Sequence, residues 1–222
     1  MEKIGKWIPI FILTLIVLVF SITTMFTPWW SIKTTREVEL KYDAFASIEY
    51  RLNQASANLR IGNNSQGVCV PFQNLTGGQE QEALVSAFNM TFNLLVGGIV
   101  LTILSVIVIV ISTFIKPVYK IATTTQIVAA ILLLLAPLQL TYSSPAFFSN
   151  PSQTLIQMPS GWPNIQIKDF WGAIEMSSEK GVYFWIWGAA IGWYLAFISS
   201  MLLFITYVVT RSVREKVKKG SV

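Results

Sequence analysis

Four apolar stretches, each about as long as a helix must be to cross a hydrocarbon core, constrain this chain more than any other feature. They run from Trp7 to about Phe26, from about Phe92 to Ile115, from Ile121 to about Leu140 and from about Val182 to Thr210, and none has a charge at its centre. Soluble domains carry roughly 25% charged residues. This chain carries 12%, with 53% hydrophobic residues and a mean hydropathy of +0.57. The expectation is an integral membrane protein, mainly α, built as one four-span domain over residues 1–222: a left-handed four-helix transmembrane bundle. Lys3 and Lys6 imitate the charged start of a signal peptide. The apolar run that follows exceeds the usual stretch of about 7–15 residues and no Ala-x-Ala site ends it, so a retained helix is expected.

Lys and Arg favour the cytoplasmic side. With both termini placed there, the inner segments hold Lys3, Lys6, Lys116, Lys120, Arg211, Arg214, Lys216, Lys218 and Lys219 against Glu2 and Glu215 alone. The outer segments hold seven basic and nine acidic residues. The net charge of +5 is therefore a cytoplasmic rim facing anionic lipid and not a nucleic-acid surface. The cytoplasmic tail, 211–222, either meets headgroups or receives a cytoplasmic partner. The localisation that follows is a multi-pass protein of the cell membrane. The turn Lys116-Pro117-Val118-Tyr119-Lys120 is short enough to make spans two and three antiparallel neighbours.

The two outer loops, about 27–86 and 141–181, are longer than structureless connections in compact domains usually are. In the first, Val38, Leu40 and Tyr42 alternate with Glu37, Glu39, Lys41 and Asp43, and Ile48, Tyr50 and Leu52 alternate with Ser47, Glu49 and Arg51. Period two predicts half-buried strands. A helix over Asp43 to Leu59 is the competing reading, because Phe45, Ile48 and Leu52 also fit helical spacing. Asn53 to Asn58 is polar enough to turn, Val68, Val70 and Phe72 suit a further strand, and Ile165 and Ile167 another. A small extracellular β-sheet fed by both loops pairs these backbones most simply. Gln79 to Asn93 reads as an extension of span two, with Glu80 and Glu82 in its first turn and Thr76-Gly77-Gly78 before it.

The chain has no histidine and one cysteine, Cys69. Haem with a histidine ligand, histidine-based zinc or copper sites, an intramolecular disulfide and a CxxC pair are excluded. No nucleophile with a base, phosphate loop or metal-ligand spacing is present, so a non-enzyme without a cofactor is expected. The acidic residues Glu37, Glu39, Asp43 and Glu49 read as a solvated strand face, and Glu175 and Glu179 as surface carboxylates one helical turn apart. Cys69 is either a lone buried thiol or an intermolecular bridge.

Helix packing is signalled in span four, where Gly188, Gly192, Ala196 and Ser200 repeat small residues every four positions. Such a ridge packs inside the monomer's own bundle or against a second copy; Gly97 and Gly98 in span two offer it a receiving surface. Trp29, Trp30, Trp162, Trp171, Phe184, Trp185 and Trp187 cluster at the outer interface, as an anchoring belt or as the wall of a ligand or quinone pocket. Asn89, Asn93, Gln126 and Gln139 are neutral polar residues in or beside the spans, explained by interhelical hydrogen bonds or, for the last three, by the lining of an oligomeric pore. No ionisable group lies inside a span, which argues against proton pumps and ion-coupled carriers. The glycosylation candidates are Asn63 and Asn74; Asn89 also heads a sequon but lies close to the membrane, and Asn150 is followed by proline.

Four spans, internal termini, a longer first loop with strands and Pro28-Trp29-Trp30 directly after span one resemble the claudins and the wider peripheral-myelin-protein and calcium-channel-gamma-like group. The resemblance implies that the two loops share one sheet and that Trp30 matches the tryptophan after span one; Gly67-Val68-Cys69 is its only further echo. The Gly-Leu-Trp signature and the two loop cysteines are absent, and the second loop is longer. The expected function is a non-catalytic membrane protein acting through lateral association and extracellular-loop contacts: an adhesion or barrier component, or an accessory subunit. Its partners are the lipid bilayer and either a homo-oligomer or other membrane-complex subunits. An oligomeric channel or pore is the alternative, and a cofactor- or lipid-binding subunit of a membrane enzyme the third.

Overall fold

Long uninterrupted runs of Leu, Ile, Val, Ala and Thr fold as helix, and the patterned segments between them fold as strand. The computed structural model describes residues 7–39, 41–74, 79–112, 119–143, 162–163, 165, 167 and 169–218. Among them are four helices, α1 (Ile8–Thr24), α2 (Gln79–Ser112), α3 (Tyr119–Ser143) and α4 (Ile191–Lys218). The six strands are β1 (Trp30–Val38), β2 (Lys41–Tyr50), β3 (Gln54–Ile61), β4 (Asn64–Pro71), β5 (Gly172–Ser178) and β6 (Gly181–Ala189). They form one antiparallel sheet in the order β4-β3-β2-β1-β6-β5. The architecture is mixed α/β, which corrects the expectation of a mainly α chain.

Three helices hold segments long and apolar enough to cross a membrane: Glu82–Ser112, Lys120–Ser143 and Ile191–Val213. With 17 residues, α1 sits at the short end of the spanning range of about 17–25 residues. The expected extension of span two is real, since α2 runs unbroken for 34 residues from Gln79. The turn through Lys116 to Val118, the tail after Lys218 and most of the segment 144–161 to 168, including Asn150, lie outside the described residues.

Two compact units divide the chain. The helical unit comprises Met1–Met25, Thr91–Leu138 and Tyr194–Val222; the sheet unit comprises Phe26–Met90 and Gln139–Trp193. Inside the helical unit the contacts are made by small residues. A Cβ on Gly98 would stand 2.7 Å from Leu133 Cδ2, and one on Gly97 3.3 Å from Leu132 Cδ1, so α2 and α3 approach closely there. Ala122, Ala129, Ala136 and Ala196 are fully buried. Buried hydroxyls bond back to their own helix, as Thr14 Oγ1 does to the Ile10 carbonyl at 2.7 Å and Thr102 Oγ1 to the Gly98 carbonyl at 2.8 Å. Ile10, Leu95, Ile109 and Leu133 are buried with them, while many other large aliphatic side chains, such as Ile12, Val19, Ile107, Ile131, Ile205 and Val208, are exposed.

The sheet departs from its sequence expectation at four places. The alternation through Val38, Leu40 and Tyr42 spans two strands, because the chain turns at Glu39, whose φ is +48°. Asn53 to Asn58 does not turn: the turn lies at Arg51–Asn53, and β3 follows with Ala55 and Ala57 fully buried. These strands also overturn the helix reading of Asp43 to Leu59. Phe72 leaves the strand for a 3-10 turn over Phe72–Asn74, and Ile165 and Ile167 are buried without joining the sheet. The largest departure is at span four. Val182 to Ala189 is strand β6, and the helix begins only at Ile191. The run Val182-Tyr183-Phe184-Trp185-Ile186-Trp187 is β-branched and aromatic, which suits a strand, and a short apolar run has no period to separate the two states.

Candidate functional site

The sheet's inner face is aromatic. Successive residues of a strand face opposite ways, and along β6 this turns Tyr183 and Trp185 inward while Ile186 is exposed. Their partners in register on β1 are Arg36 and Thr34. Trp29 and Trp30 are fully buried at the start of β1, and Tyr50, Phe72 and Phe88 extend the cluster, with Tyr50 stacked on Phe88 at 6.1 Å and Phe72 edge-on to Phe88 at 5.2 Å. Burial pushes the Tyr50 phenol's pKa up.

Trp162, Asp169 and Phe170 meet residues of the same face. Trp162 meets Tyr183 edge-on at 5.2 Å and Trp185 at 6.3 Å. Trp30 Nε1 donates to the Phe170 carbonyl and Trp187 Nε1 to the Asp169 carbonyl, both at 3.0 Å. Of the tryptophans expected at the outer interface, Trp29, Trp30, Trp162 and Trp185 are therefore core residues of the sheet unit. Trp187 is half-buried, and Trp171 is 47% exposed. Bulk and planarity, not amphipathicity, explain the four core residues, a distinction that residue type alone does not make.

The small-residue ridge is split. Gly188 lies in β6 with φ +153°, where a Cβ would meet Trp171 Cδ1 at 2.4 Å, so it does not share a helix face with Gly192. Gly192 opens α4 against Thr27, Pro28 and Trp29, and its N–H donates to the Pro28 carbonyl at 2.7 Å. Further along α4, Ala196 is fully buried and Ser200 Oγ donates to the Ala130 carbonyl of α3 at 2.8 Å. These contacts fall within the chain. Gly97 and Gly98 receive Leu132 and Leu133 of α3.

The neutral polar residues point three ways. Asn93 is exposed, Gln139 Nε2 donates to Ser143 Oγ at 2.8 Å, and Gln126 is fully buried with neither amide atom bonded. They do not line one face.

Near the end of β1, on the face that Tyr183 shares, Arg36 Nε donates to Asp43 Oδ1 at 2.8 Å and Arg36 Nη2 to Asp43 Oδ2, a two-pronged ion pair across β1 and β2. The guanidinium holds the Asp43 carboxyl below the usual carboxylate range, and the carboxylate raises the Arg36 pKa in turn. A hollow of about 430 Å³ opens beside it, bounded by Tyr42, Asp43, Phe45, Arg60 and Asn63. Sequence reading placed Asp43 on a solvated face and missed its partner, seven residues away across a hairpin. Glu175 lies on β5 and Glu179 in the following turn, so they are not one helical turn apart. No group of three or more His, Cys, Asp or Glu that could hold a metal occurs among the described residues. Asn63 is exposed in the two-residue turn between β3 and β4, and Asn74 is exposed at the end of the 3-10 turn, so both sequons are accessible.

Strand β4 is an edge of the sheet and carries no charged side chain. Its neighbour pairs through alternate residues: Ile61 and Asn64 flank a two-residue turn, and the Phe72 N–H reaches the Asn53 carbonyl at 3.0 Å. That parity leaves the backbone groups of Ser65, Gly67 and Cys69 directed away from the sheet. Cys69 is exposed and free, which corrects the expectation of a buried thiol. Pro71, which has no N–H, occupies the next outward position, as edge prolines do.

No protein-family model matches the chain, and no curated protein is significantly similar to it.

Proposed function

We propose that this is a non-catalytic integral membrane protein, a left-handed four-helix bundle with both termini cytoplasmic, that works by contact through its extracellular sheet. The observation that carries this reading is the β4 edge. An exposed row of backbone donors and acceptors is a template for another strand, and soluble proteins blunt such edges with Lys, Pro or a covering element. Among the described residues the only such device on β4 is Pro71 at its end. Without charges, β4 pairs antiparallel with a second copy of itself about Gly67 without like-charge repulsion. Lateral association then follows from the sheet rather than from the α4 ridge, whose Ser200 is engaged inside the chain.

The membrane part of the reading is supported by the inside-out distribution of side chains. Exposed apolar patches of this extent are foreign to monomers in water. The excess of basic residues on one set of segments supports the orientation. The pore reading loses its support from Asn93, Gln126 and Gln139, which do not converge.

Native mass spectrometry of the gently solubilised protein tests the proposal. A dimer or larger homo-oligomer that dissociates in Cys69→Pro, which removes an outward N–H and no ladder bond, is the expected result. A stoichiometric complex with other chains makes the protein an accessory subunit. A monomer with no partner, from membranes where it is folded, overturns the reading.

A further inference from the structure

Three indoles of the sheet unit find acceptors: Trp30 on the Phe170 carbonyl, Trp187 on the Asp169 carbonyl and Trp193 on Thr141 Oγ1, each at 3.0 Å. Two others do not. Among the described residues, Trp162 Nε1 and Trp185 Nε1 are buried and have no hydrogen-bond partner; beside them Thr34 Oγ1 is in the same state, and Tyr183 Oη has only the Arg36 guanidinium close by. These four atoms belong to one patch. Thr34 and Trp185 are opposite each other in register, Tyr183 is the next inward residue of β6, and Trp162 packs edge-on to both rings. Residues directly opposite, and two apart on one strand, put their side chains within about 4.5–8 Å of one another. A buried polar group left bare forfeits the bond it made to water. Several in one patch would consume a large share of the small net stability of a domain. Buried groups of this kind are satisfied by something, be it water or a ligand.

The chemistry of the four atoms specifies what. An indole nitrogen only donates; the two hydroxyls donate or accept. The missing complement is therefore an oxygen acceptor. The nearest charge is the Arg36 guanidinium, alongside the Tyr183 phenol, and it is committed to Asp43 through two hydrogen bonds. Among the described residues no second cation is placed beside the patch to favour a carboxylate or phosphate. We propose that the patch between Trp162 and strands β1 and β6 is a binding site for a neutral oxygen acceptor, held by Trp162, Trp185, Tyr183 and Thr34. An ordered water and the carbonyl of a small apolar molecule share this chemistry. The site is independent of the β4 edge.

Indole-¹⁵N-labelled full-length protein in lipid nanodiscs tests it by NMR. Trp162→Phe and Trp185→Phe, which keep an aromatic ring and remove the N–H, assign the two signals. Both indole protons are expected at the hydrogen-bonded shifts shown by Trp30, Trp187 and Trp193. Thr34→Val, the milder change, is expected to speed their exchange with solvent roughly five-fold, the loss of about one hydrogen bond. Cross-relaxation with water identifies water as the acceptor. Contacts to carbon-bound protons foreign to the protein, with a matching mass released on denaturation, identify a carbonyl compound. Indole protons shifted upfield of the other three and touching only protein carbon-bound protons would overturn the proposal, as would a bond from either to a protein acceptor.

Discussion

The helical unit and the sheet unit differ in what they bury beside their shared aliphatic and alanine core: the helical unit adds hydroxyls, the sheet unit large aromatic rings. The helical unit is packed with Ala122, Ala129, Ala136 and Ala196 and with hydroxyls such as Thr102 and Ser105, all fully buried. The sheet unit is packed with Trp29, Trp30, Tyr183 and Trp185. The reason lies in what each kind of surface must be hidden from. In water, burying an aromatic ring removes a large apolar area and supplies the driving force for a sheet. In lipid, apolar bulk gains nothing by moving inward, so helices associate through small residues that permit close backbone contact and through hydrogen bonds. The contrast is the one expected of a chain whose two units face different solvents.

The deepest cut at this comparison is Trp30→Ala. Losing a fully buried ring and its bond to the Phe170 carbonyl is expected to destabilise the sheet unit by about 3–5 kcal/mol. Chemical denaturation followed by near-ultraviolet circular dichroism reads it, and a loss below ~1 kcal/mol would mean the aromatic face is not what holds the sheet.

Gly98→Ile tests the opposite rule in the helical unit. The added Cβ starts 2.7 Å from Leu133 Cδ2, so overpacking of about 1–3 kcal/mol is expected in thermal melts of the solubilised protein. A neutral outcome would show that α2 and α3 are free to separate. Gly188→Ala belongs to the same size class, since a left-handed φ of +153° and the Trp171 ring both oppose a side chain; about 1–3 kcal/mol is expected.

The Arg36–Asp43 pair bears on the solvent side of the contrast. Its carboxyl titrates below the ordinary value of 3.8 in the folded protein, so its stabilisation is complete above that pH and vanishes as the pH falls through the lowered folded value. Asp43→Asn removes up to about 1 kcal/mol at neutral pH and flattens this acid limb in pH-dependent melts. The pair is half-buried, so salt is expected to weaken it only in part, and a contribution lost completely at moderate salt would contradict that burial. Smallest is Ser200→Ala, which deletes the bond to the Ala130 carbonyl at a cost of about 0.6 kcal/mol, the average for such bonds between membrane helices.

The helices were legible because helical apolar runs of this length have one explanation. Strand β2 was legible from Ile48 and Tyr50 alternating with charged residues. Strand β3 was not, because its inward residues are Ala55 and Ala57, too small to register as an apolar period beside Ser56 and Asn58. Strand β6 was hidden by the opposite excess: with Val182, Phe184 and Ile186 on one side and Tyr183, Trp185 and Trp187 on the other, both faces are apolar and the run merges with α4. The aromatic cluster was present as a list of tryptophans, yet their division into four buried, one half-buried and one exposed was not readable. It depends on Trp162, Asp169 and Phe170 meeting residues of β1 and β6, contacts between residues far apart in the chain.

What the sequence by itself determined is the presence of four apolar helices, three of them long enough to cross a membrane, their segregation from patterned segments and the absence of histidine and of an intramolecular disulfide. Each follows from composition or from periodicity within one element. Tertiary structure alone decided that Val182 to Ala189 pairs between β1 and β5, that Gly188 leaves the helical ridge, that Asp43 meets Arg36, and that four polar atoms gather beneath Trp162. All four depend on backbone pairing across hairpins or over a long crossover, and strand register is a property of two segments, written in neither alone.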